Sequence, residues 1–279
     1  MPIHFNVNDV TPRRLAEGVR RQPLLNRENV PDIEFRLDRI ALDAGARFEL
    51  SIAGTDLAWF QVLGGELTLR GPQREDWLTD AHVVFLPPAF KGALASRAGA
   101  SFLLAVVSDA AALDPEFAVK PPSFRVVDWT NEPLLESKHD ARKRIYLVTP
   151  ALFGTQAIKG EMIIYPPRTE APKHHHVGAA HFMYFLKGGG TAFANEEPFA
   201  VRSGDVVYYH DREWHALRSG EAGEMVFSEF FVPAGAKTVW AVPEKACTWM
   251  PTGKNIKGSK PSREIREHST ADAQTTTGV

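Results

Sequence analysis

The sequence predicts an all-β protein in which two similar halves, each a small sandwich or barrel, follow one another along the chain. Short segments of alternating apolar and polar residues recur, and glycine, proline, aspartate and asparagine separate them at intervals of about 8 to 12 residues. The pattern of the first half returns in the second at an offset of 123 to 124 residues, which indicates an internal repeat. The length of 279 residues suits two domains of ordinary size or one large β domain.

The composition of the chain argues against several classes of function. Its 32 basic and 34 acidic residues give a formal charge of −2 without a long basic block, so the sequence offers no electrostatic case for nucleic-acid binding. A single cysteine, Cys247, rules out an internal disulfide framework and fits a reducing compartment. The first residues lack the pattern of a signal peptide, and no apolar stretch approaches the roughly 20 residues that span a bilayer. We therefore expect a soluble cytoplasmic protein without a nucleic-acid or membrane partner.

Residues 1–33 precede the first predicted barrel and form an N-terminal extension that contains a short helix. Thr11 has a side chain suited to the N-cap, and Pro12 suits the first helical turn. The predicted helix runs from Arg13 to about Arg21.

Residues 34–110 are predicted to form the first barrel, from the strands FRLDRIAL, RFELSI, LAWFQVLG, GELTLRG, HVVFLPP and SFLLAVV. Residues 111–141 form a connector with two proline-containing turns and a short helix near residues 134–138. Residues 142–235 form the second barrel, from the strands RIYLVTP, GEMIIYPP, HFMYFLKG, GTAFAN, DVVYYH and EMVFSEFFVP. Residues 236–279 are a polar extension whose last dozen residues have the composition of a disordered tail. Its SREIREH segment suits a short helix over a barrel mouth.

Six of the ten histidines lie in one stretch, residues 172–219. His174 and His176 are two residues apart, so on a β-strand both rings point to the same face. His181 follows on a second predicted strand, and His215 comes later, beyond a Gly-Asp turn. Four imidazoles brought together inside a β-barrel indicate a transition-metal site, since neutral imidazole binds Fe, Zn, Cu and Ni. A solvated loop, or histidines that are individually satisfied, would leave this spacing unexplained.

The spacing H-x-H-x4-H, followed by G-D-x9-H, resembles the two motifs of the cupin superfamily. The resemblance implies four metal ligands: His174, His176, His181 and His215. His181 stands where the family usually has glutamate, and His210 stands where it usually has proline. His175 is expected to point out of the barrel. Over residues 34–235 the chain resembles a bicupin, in which two double-stranded β-helix (jelly-roll) barrels are fused.

The first half lacks metal ligands at the corresponding positions. Alignment of the two halves places these residues opposite the four histidines: Leu50, Ile52, Leu57 and Gly92. Such residues cannot coordinate a metal, but the leucine and isoleucine side chains can fill the interior of a barrel. The N-terminal barrel is therefore predicted to be structural, and the chain to bind one metal.

The expected cofactor is one divalent transition metal per chain, Fe(II) first, with Mn, Ni or Zn as alternatives. Four histidines leave the charge of a dication uncompensated, which favours an anionic ligand such as an enolate or a carboxylate. The preferred function is an Fe(II)-dependent dioxygenase that cleaves a C–C bond of a small aromatic or enolisable substrate, with O2 as the second substrate. The alternatives are a non-redox lyase, isomerase, cyclase or amidohydrolase, and a non-catalytic small-molecule-binding protein. Strand edges further predict a homodimer.

Strand parity names further candidates near the metal. On the last strand the inward set is one of two, namely Met225, Phe227 and Glu229 or Val226, Ser228 and Phe230. Glu229 is a candidate base or ligand-orienting group, because a carboxylate is costly to bury without a role; a solvated, outward Glu229 is the alternative. Glu161 and Tyr165, on the strand before the histidines, are expected to reach the cavity, where Glu161 is a second candidate catalytic residue. The remaining expected pocket residues are Met183, Phe185 and Phe227.

Overall fold

The computed structural model describes residues 2–268, and its backbone divides into two compact units. The N-terminal unit consists of residues 7–128 and 153–157, and the C-terminal unit of residues 2–6, 129–152 and 158–268. No helix among the described residues has the length and apolar character needed to cross a membrane. The predicted disordered tail falls almost entirely beyond residue 268 and so lies outside the described residues.

The regular structure of residues 2–268 is almost entirely β-strand. The strands of the first half are β1 (Ile3–Asn6), β2 (Arg13–Ala16), β3 (Val19–Leu25), β4 (Phe35–Leu42), β5 (Arg47–Ser51), β6 (Leu57–Gly65), β7 (Leu67–Arg70), β8 (Glu75–Leu78), β9 (His82–Leu86), β10 (Lys91–Ala95), β11 (Ala100–Val107) and β12 (Arg125–Asp128). Those of the second half are β13 (Leu135–Ser137), β14 (Lys143–Val148), β15 (Lys159–Tyr165), β16 (His174–Val177), β17 (Ala180–Lys187), β18 (Gly189–Ala194), β19 (Glu197–Arg202), β20 (Asp205–Tyr209), β21 (His215–Ser219), β22 (Met225–Val232), β23 (Lys237–Trp240) and β24 (Trp249–Pro251). Short helical turns occupy Val7–Asp9, Ala110–Ala112, Pro150–Phe153 and Pro243–Lys245.

Two antiparallel sheets form the N-terminal unit. The larger has the strand order β12-β9-β6-β11-β4-β3-β2, and the smaller has the order β5-β10-β7-β8. Every second side chain of a pleated strand points to the same face, so both sheets contribute to one core. Phe60 and Phe102 of the larger sheet lie in that core with Leu50 and Leu94 of the smaller one.

The C-terminal unit is built in the same way. Its larger sheet has the order β1-β20-β17-β22-β15-β14-β13-β24, and its smaller sheet has the order β19-β18-β21-β16-β23. Met183, Phe185 and Phe227 of the larger sheet share a core with Ala192 and Leu217 of the smaller one. The all-β class predicted from the alternating pattern is therefore confirmed, with two sheets in each unit.

The predicted N-terminal helix is wrong, because residues 13–25 form the hairpin of β2 and β3. Gly18 makes the turn with a φ of +65°, a conformation that glycine adopts without steric penalty. β3 pairs with β4, and the Nε of Arg21 lies 2.7 Å from Oδ1 of Asp38 on that strand. Sheet pairing at long range thus outweighs the local capping signal.

Two other predicted helices are also absent. Residues 135–137 form β13, which pairs with β14 and β24, so sheet pairing again overrides a local signal. The SREIREH segment, residues 262–268, has no regular secondary structure. Arg263 of this segment pairs with Glu132 at 2.7 Å, and Ile265 joins a buried cluster of the C-terminal unit. Extended backbone therefore lets the side chains of this segment reach separate partners.

The two units repeat one another in strand register. In the N-terminal unit Leu50 of β5 lies opposite Gly92 of β10. In the C-terminal unit His174 of β16 lies opposite His215 of β21. The equivalence of these two pairs agrees with the alignment of the two halves.

One position of that alignment needs correction, because the residue equivalent to His181 is Ala58 and not Leu57. Ala58 lies opposite Leu86 of β9, and His181 lies opposite Tyr209 of β20. Ala58 belongs to the core between the sheets, whereas Leu57 is on the other face of β6. A shift of one residue reverses the face of every side chain on a strand, so the alignment slips between β5 and β6. Alanine cannot bind a metal either, so the N-terminal unit still offers no ligand at this position.

Candidate metal centre

Three strands of the C-terminal unit bring four histidine rings together. The ring centroids of His174 and His215 are 4.3 Å apart. The ring of His176 lies 5.1 Å from that of His174 and 5.2 Å from that of His215. The ring of His181 lies 4.8 Å from those of both His176 and His215. Since β16 and β21 belong to the smaller sheet and β17 to the larger, the cluster joins the two sheets.

Hydrogen bonds orient three of the rings through Nδ1. His174 donates from Nδ1 to the carbonyl oxygen of Pro172 at 2.8 Å, and His215 donates to that of Glu213 at 2.9 Å. A carbonyl oxygen only accepts, so both rings carry their proton on Nδ1 and present a lone pair on Nε2. The Nδ1 of His176 is hydrogen bonded to the Thr238 hydroxyl at 3.2 Å. This is the arrangement by which proteins fix histidine ligands of a metal.

Several nitrogens of the cluster are buried without a hydrogen-bond partner. They are Nε2 of His215 and both ring nitrogens of His181. Nε2 of His181 lies 3.3 Å from a carboxyl oxygen of Glu229. A buried polar atom that lacks a partner is destabilising by about 1–3 kcal/mol, and coordination of a metal would supply the missing interaction. The residues present therefore fit a divalent metal ion.

Two overlapping groups of side chains have the geometry of a metal site. One contains His174, His176 and His215, and the other contains His176, His181 and Glu229. Within each group the potential ligand atoms lie within 4.8 Å of one another. His176 belongs to both groups, which makes it the central member of the cluster. Among the described residues of the N-terminal unit there is no such group.

The surroundings keep the four rings neutral. Burial, followed by the repulsion that protonated neighbouring rings would exert, lowers the pKa of His174, His176 and His181 well below the ordinary value of 6.5. Burial lowers the pKa of His215 to about 4. Only the neutral imidazole has a lone pair for coordination, so at neutral pH a metal would displace no proton from these side chains.

The other two histidines of the same stretch lie outside the cluster. His175 stacks on Trp214 with ring centroids 4.2 Å apart, and its Nδ1 is hydrogen bonded to the carbonyl oxygen of Arg212. The outward orientation predicted from strand parity is therefore the one observed. His210 is exposed and contacts Tyr208.

A pair of buried carboxyl groups lies beside the histidines. Glu161 of β15 and Glu229 of β22 are opposite one another in register, and both are buried. Burial and then the charge of Glu161 raise the pKa of Glu229 well above its usual range. Burial alone would raise the pKa of Glu161 as well, but Arg144 and Lys159 outweigh it and lower that pKa. The pair therefore holds its proton on Glu229 and its negative charge on Glu161.

A cavity of about 80 Å³ is lined by two histidines of the cluster, His174 and His176, and by the carboxyl pair. The predicted pocket residues Tyr165, Met183 and Phe227 line it, as do both glutamates. Phe185 packs on Phe227 within the apolar core instead, with ring centroids 5.2 Å apart. The inward set of β22 is thus the one that contains Phe227 and Glu229.

The cationic side chains of this cavity were not predicted from the sequence. Arg142, Arg144 and Lys159 line it together with the aromatic rings of Trp240 and Trp249. The two arginines are two residues apart, which is the spacing of side chains on one strand face, and this was the signal available. Charged residues on strands usually face solvent, so the sequence does not indicate that Arg144 and Lys159, on the paired strands β14 and β15, line a cavity.

Comparisons with known proteins agree with this architecture. Residues 161–233 match the family model described as Cupin domain. No curated protein sequence shows a significant match to the chain. A deletion mutant of Bacillus subtilis oxalate decarboxylase is similar in structure, with a TM-score of 0.66 and 16% identity over 85% of this chain and 79% of that one. An oxalate decarboxylase structure concerned with substrate binding has a TM-score of 0.67 at 16% identity, over 85% of this chain and 79% of that one. One concerned with the Mn(II) centres of the Bacillus subtilis enzyme has a TM-score of 0.66 at 16% identity, with the same coverage of 85% and 79%.

Proposed function

We propose that this chain, a bicupin with a histidine cluster in its C-terminal unit, is a metal-dependent enzyme that acts on a small organic anion. The proposed ligands are His174, His176, His181 and His215. The observation that carries the proposal is the set of buried imidazoles beside a cavity that also contains three cationic side chains. A structural site would not need such a cavity, and a catalytic one does.

The proposed metal is divalent and of the first transition row. When bound, such an ion supplies Lewis acidity toward an oxygen of the substrate. Four neutral imidazoles leave its charge uncompensated, so an anionic oxygen such as a carboxylate or an enolate complements the site. Fe(II) was the first expectation from the sequence, and the Mn(II) centres of the similar oxalate decarboxylase support Mn equally.

The carboxyl pair is proposed to transfer a proton at the substrate. Glu229 lies 3.3 Å from His181 and therefore close to where a substrate bound at the cluster would lie. Its carboxyl group has a proton to donate, and Glu161 stabilises the arrangement by holding the negative charge near Arg144. The water-excluding ring of Phe231, which contacts His176 and His181, limits exchange of that proton with solvent.

The reaction that these groups support best is cleavage of a C–C bond next to a carboxylate, as in decarboxylation. When that bond breaks, its electrons remain on the substrate carbon, carbon dioxide leaves, and the carbon takes up a proton. We expect Glu229 to provide that proton. The name of the similar oxalate decarboxylase describes a lyase of this kind, which supports a lyase here.

The Fe(II)-dependent dioxygenase predicted from the sequence is the second candidate function. The rings of Phe227, Phe231 and Trp240 line the cavity and suit an aromatic or enolised substrate. O2 would then be a second substrate. Homodimer formation stays a prediction; β2, an edge strand with four exposed residues, is available for it.

One experiment separates these candidates. We expect the metal-replete protein, tested against a panel of small carboxylic and 2-oxo acids, to release carbon dioxide without net consumption of O2, because proton transfer completes the reaction. Metal-stripped protein is the control and is expected to be inactive. Consumption of one O2 per substrate would favour the dioxygenase instead. Binding of an acid without turnover would contradict both enzymes and leave the small-molecule-binding alternative.

A further inference from the structure

Three rings lie in a row across the larger sheet of the C-terminal unit. His181 of β17 is directly opposite Tyr209 of β20 on one side and directly opposite Phe231 of β22 on the other. The imidazole stacks on the Tyr209 ring with centroids 5.4 Å apart, and on the Phe231 ring with centroids 5.0 Å apart. Side chains directly opposite one another on neighbouring strands point to the same face of the sheet. The imidazole of His181 therefore has an aromatic ring on each of its two faces.

His181 is held differently from the other three histidines of the cluster. Each of those three rings has a hydrogen bond at Nδ1. Both ring nitrogens of His181 are buried and have no hydrogen-bond partner among the described residues. The χ2 torsion of a histidine has a broad energy minimum, so a ring without such a bond needs another restraint to fix its plane. Stacking supplies that restraint, because rotation of the imidazole would drive its edge into Tyr209 or Phe231.

The plane of the ring matters because the lone pair of an imidazole nitrogen lies in it, so a coordinated metal lies near that plane. A hydrogen bond at one nitrogen fixes the plane but occupies that nitrogen. The rings of Tyr209 and Phe231 meet the faces of the imidazole instead, at separations typical of stacked aromatic pairs. They orient His181 and leave both of its nitrogens available.

The two flanking rings are themselves fixed. Tyr209 is fully buried, and its hydroxyl donates a hydrogen bond to the carbonyl oxygen of Phe193 at 3.2 Å. Phe231 is also buried, and the ammonium of Lys159, directly opposite it on β15, lies 4.8 Å from its centroid. Movement of either ring away from His181 would break these contacts, so both rings are suited to restrain the imidazole.

The N-terminal unit provides an internal comparison. Its equivalent of His181 is Ala58, which lies opposite Leu86 of β9 and Val106 of β11. All three side chains belong to the core between the two sheets of that unit. The barrel therefore packs well with aliphatic residues at the two flanking positions. The aromatic rings are found in the unit that has the histidine, which indicates that they serve the histidine and not the fold.

We propose that Tyr209 and Phe231 are positioning residues that fix the plane of His181 for coordination of the metal. The proposal rests on the proposed function, which assigns His181 as a ligand. It makes the flat face of each ring the property that matters, and not the volume of the side chain or the hydroxyl of Tyr209.

The test titrates metal-free full-length protein with Co(II), whose visible absorption reports both the affinity and the set of ligands. Tyr209→Leu and Phe231→Leu each remove one aromatic face. Tyr209→Phe is the conservative variant, because it keeps the ring and removes only the hydroxyl. The matched control is Phe185→Leu, at a fully buried ring that packs on Phe227 in the apolar core. Thermal unfolding of each variant shows how much stability it has lost.

The same substitutions are repeated in a His181→Ala background. This step is needed because Tyr209 also stacks on His215, at 4.5 Å, and Phe231 also meets His176 edge-on, at 4.8 Å. A residue that acts through His181 has no further effect once His181 is gone, whereas one that acts through another histidine or through overall stability keeps its effect.

We expect Tyr209→Leu and Phe231→Leu each to weaken Co(II) binding at least about tenfold, as is usual when a group that orients a ligand is removed. Their absorption spectra are expected to shift toward that of His181→Ala. Tyr209→Phe and Phe185→Leu are expected to keep the affinity and the spectrum of the wild type. In the His181→Ala background neither leucine substitution is expected to weaken binding further.

Three results would overturn the positioning proposal: wild-type affinity in both leucine variants, the same weakening with and without His181, or an equal weakening in Phe185→Leu. Two others would overturn the proposed function and this proposal with it. Failure of the wild type to bind Co(II) would remove the metal site, and unchanged binding by His181→Ala would show that His181 is not a ligand.

Discussion

Replacing His176 by alanine is expected to reduce the bound metal from one equivalent per chain to less than about 0.1, and to abolish activity with it. His176 is common to both potential ligand groups, and its ring is within 5.2 Å of the rings of the other three histidines. The substitution also leaves Thr238 without its partner on the imidazole. Elemental analysis of the purified variant beside the wild type measures the effect.

The matched control is the neighbouring substitution, His175→Ala. His175 stacks on Trp214 away from the cluster, so its loss is expected to reduce stability by about 0.5–1.5 kcal/mol and to leave the metal in place. Loss of the metal from His175→Ala, with retention in His176→Ala, would contradict the assignment of the two faces of β16.

Replacing Glu229 by glutamine is expected to lower kcat by about 10²- to 10⁴-fold, the usual contribution of a positioned acid or base. Glutamine has nearly the same shape but no proton to transfer at neutral pH. We expect KM to change little, because Arg144 and Lys159 in the cavity are untouched. Steady-state kinetics and metal content are measured together, with Glu224→Gln, at a half-buried position near the start of β22, as the control.

Two results would contradict the role of Glu229, and they differ in meaning. A variant with full kcat would show that the carboxyl pair does not transfer the proton. A variant that loses its metal would show that Glu229 is a ligand, which the group of His176, His181 and Glu229 makes geometrically feasible. In that case the low kcat would follow from the missing metal.

Much of the fold follows from local pattern, because a strand buried on one face must alternate. All of the strand segments predicted from alternation are strands in the structure. The strands that were missed, such as β8, β10 and β23, are short or lie in the smaller sheets, where fewer residues carry the pattern. The wrong helix at residues 13–21 has a different cause, since pairing of β3 with β4 cannot be read from its own residues.

Some residues of the candidate site could likewise be predicted from the sequence, and others could not. The four histidines could be found because their spacing on strands is itself the signal. The slip that matched His181 to Leu57 arose because alignment by residue type does not fix which face of a strand is buried, and Ala58 carries no distinctive side chain. Arg144 and Lys159 escaped notice because their burial depends on Glu161 and on rings contributed by other strands.

The central claim is that one unit of this chain binds a single catalytic metal and the other binds none. Elemental analysis of freshly purified full-length protein tests it most directly. We expect one equivalent of a divalent first-row transition metal per chain, present in the wild type and absent from His176→Ala. Two equivalents per chain, or no metal retained after reconstitution with Fe(II), Mn, Ni or Zn, would contradict it.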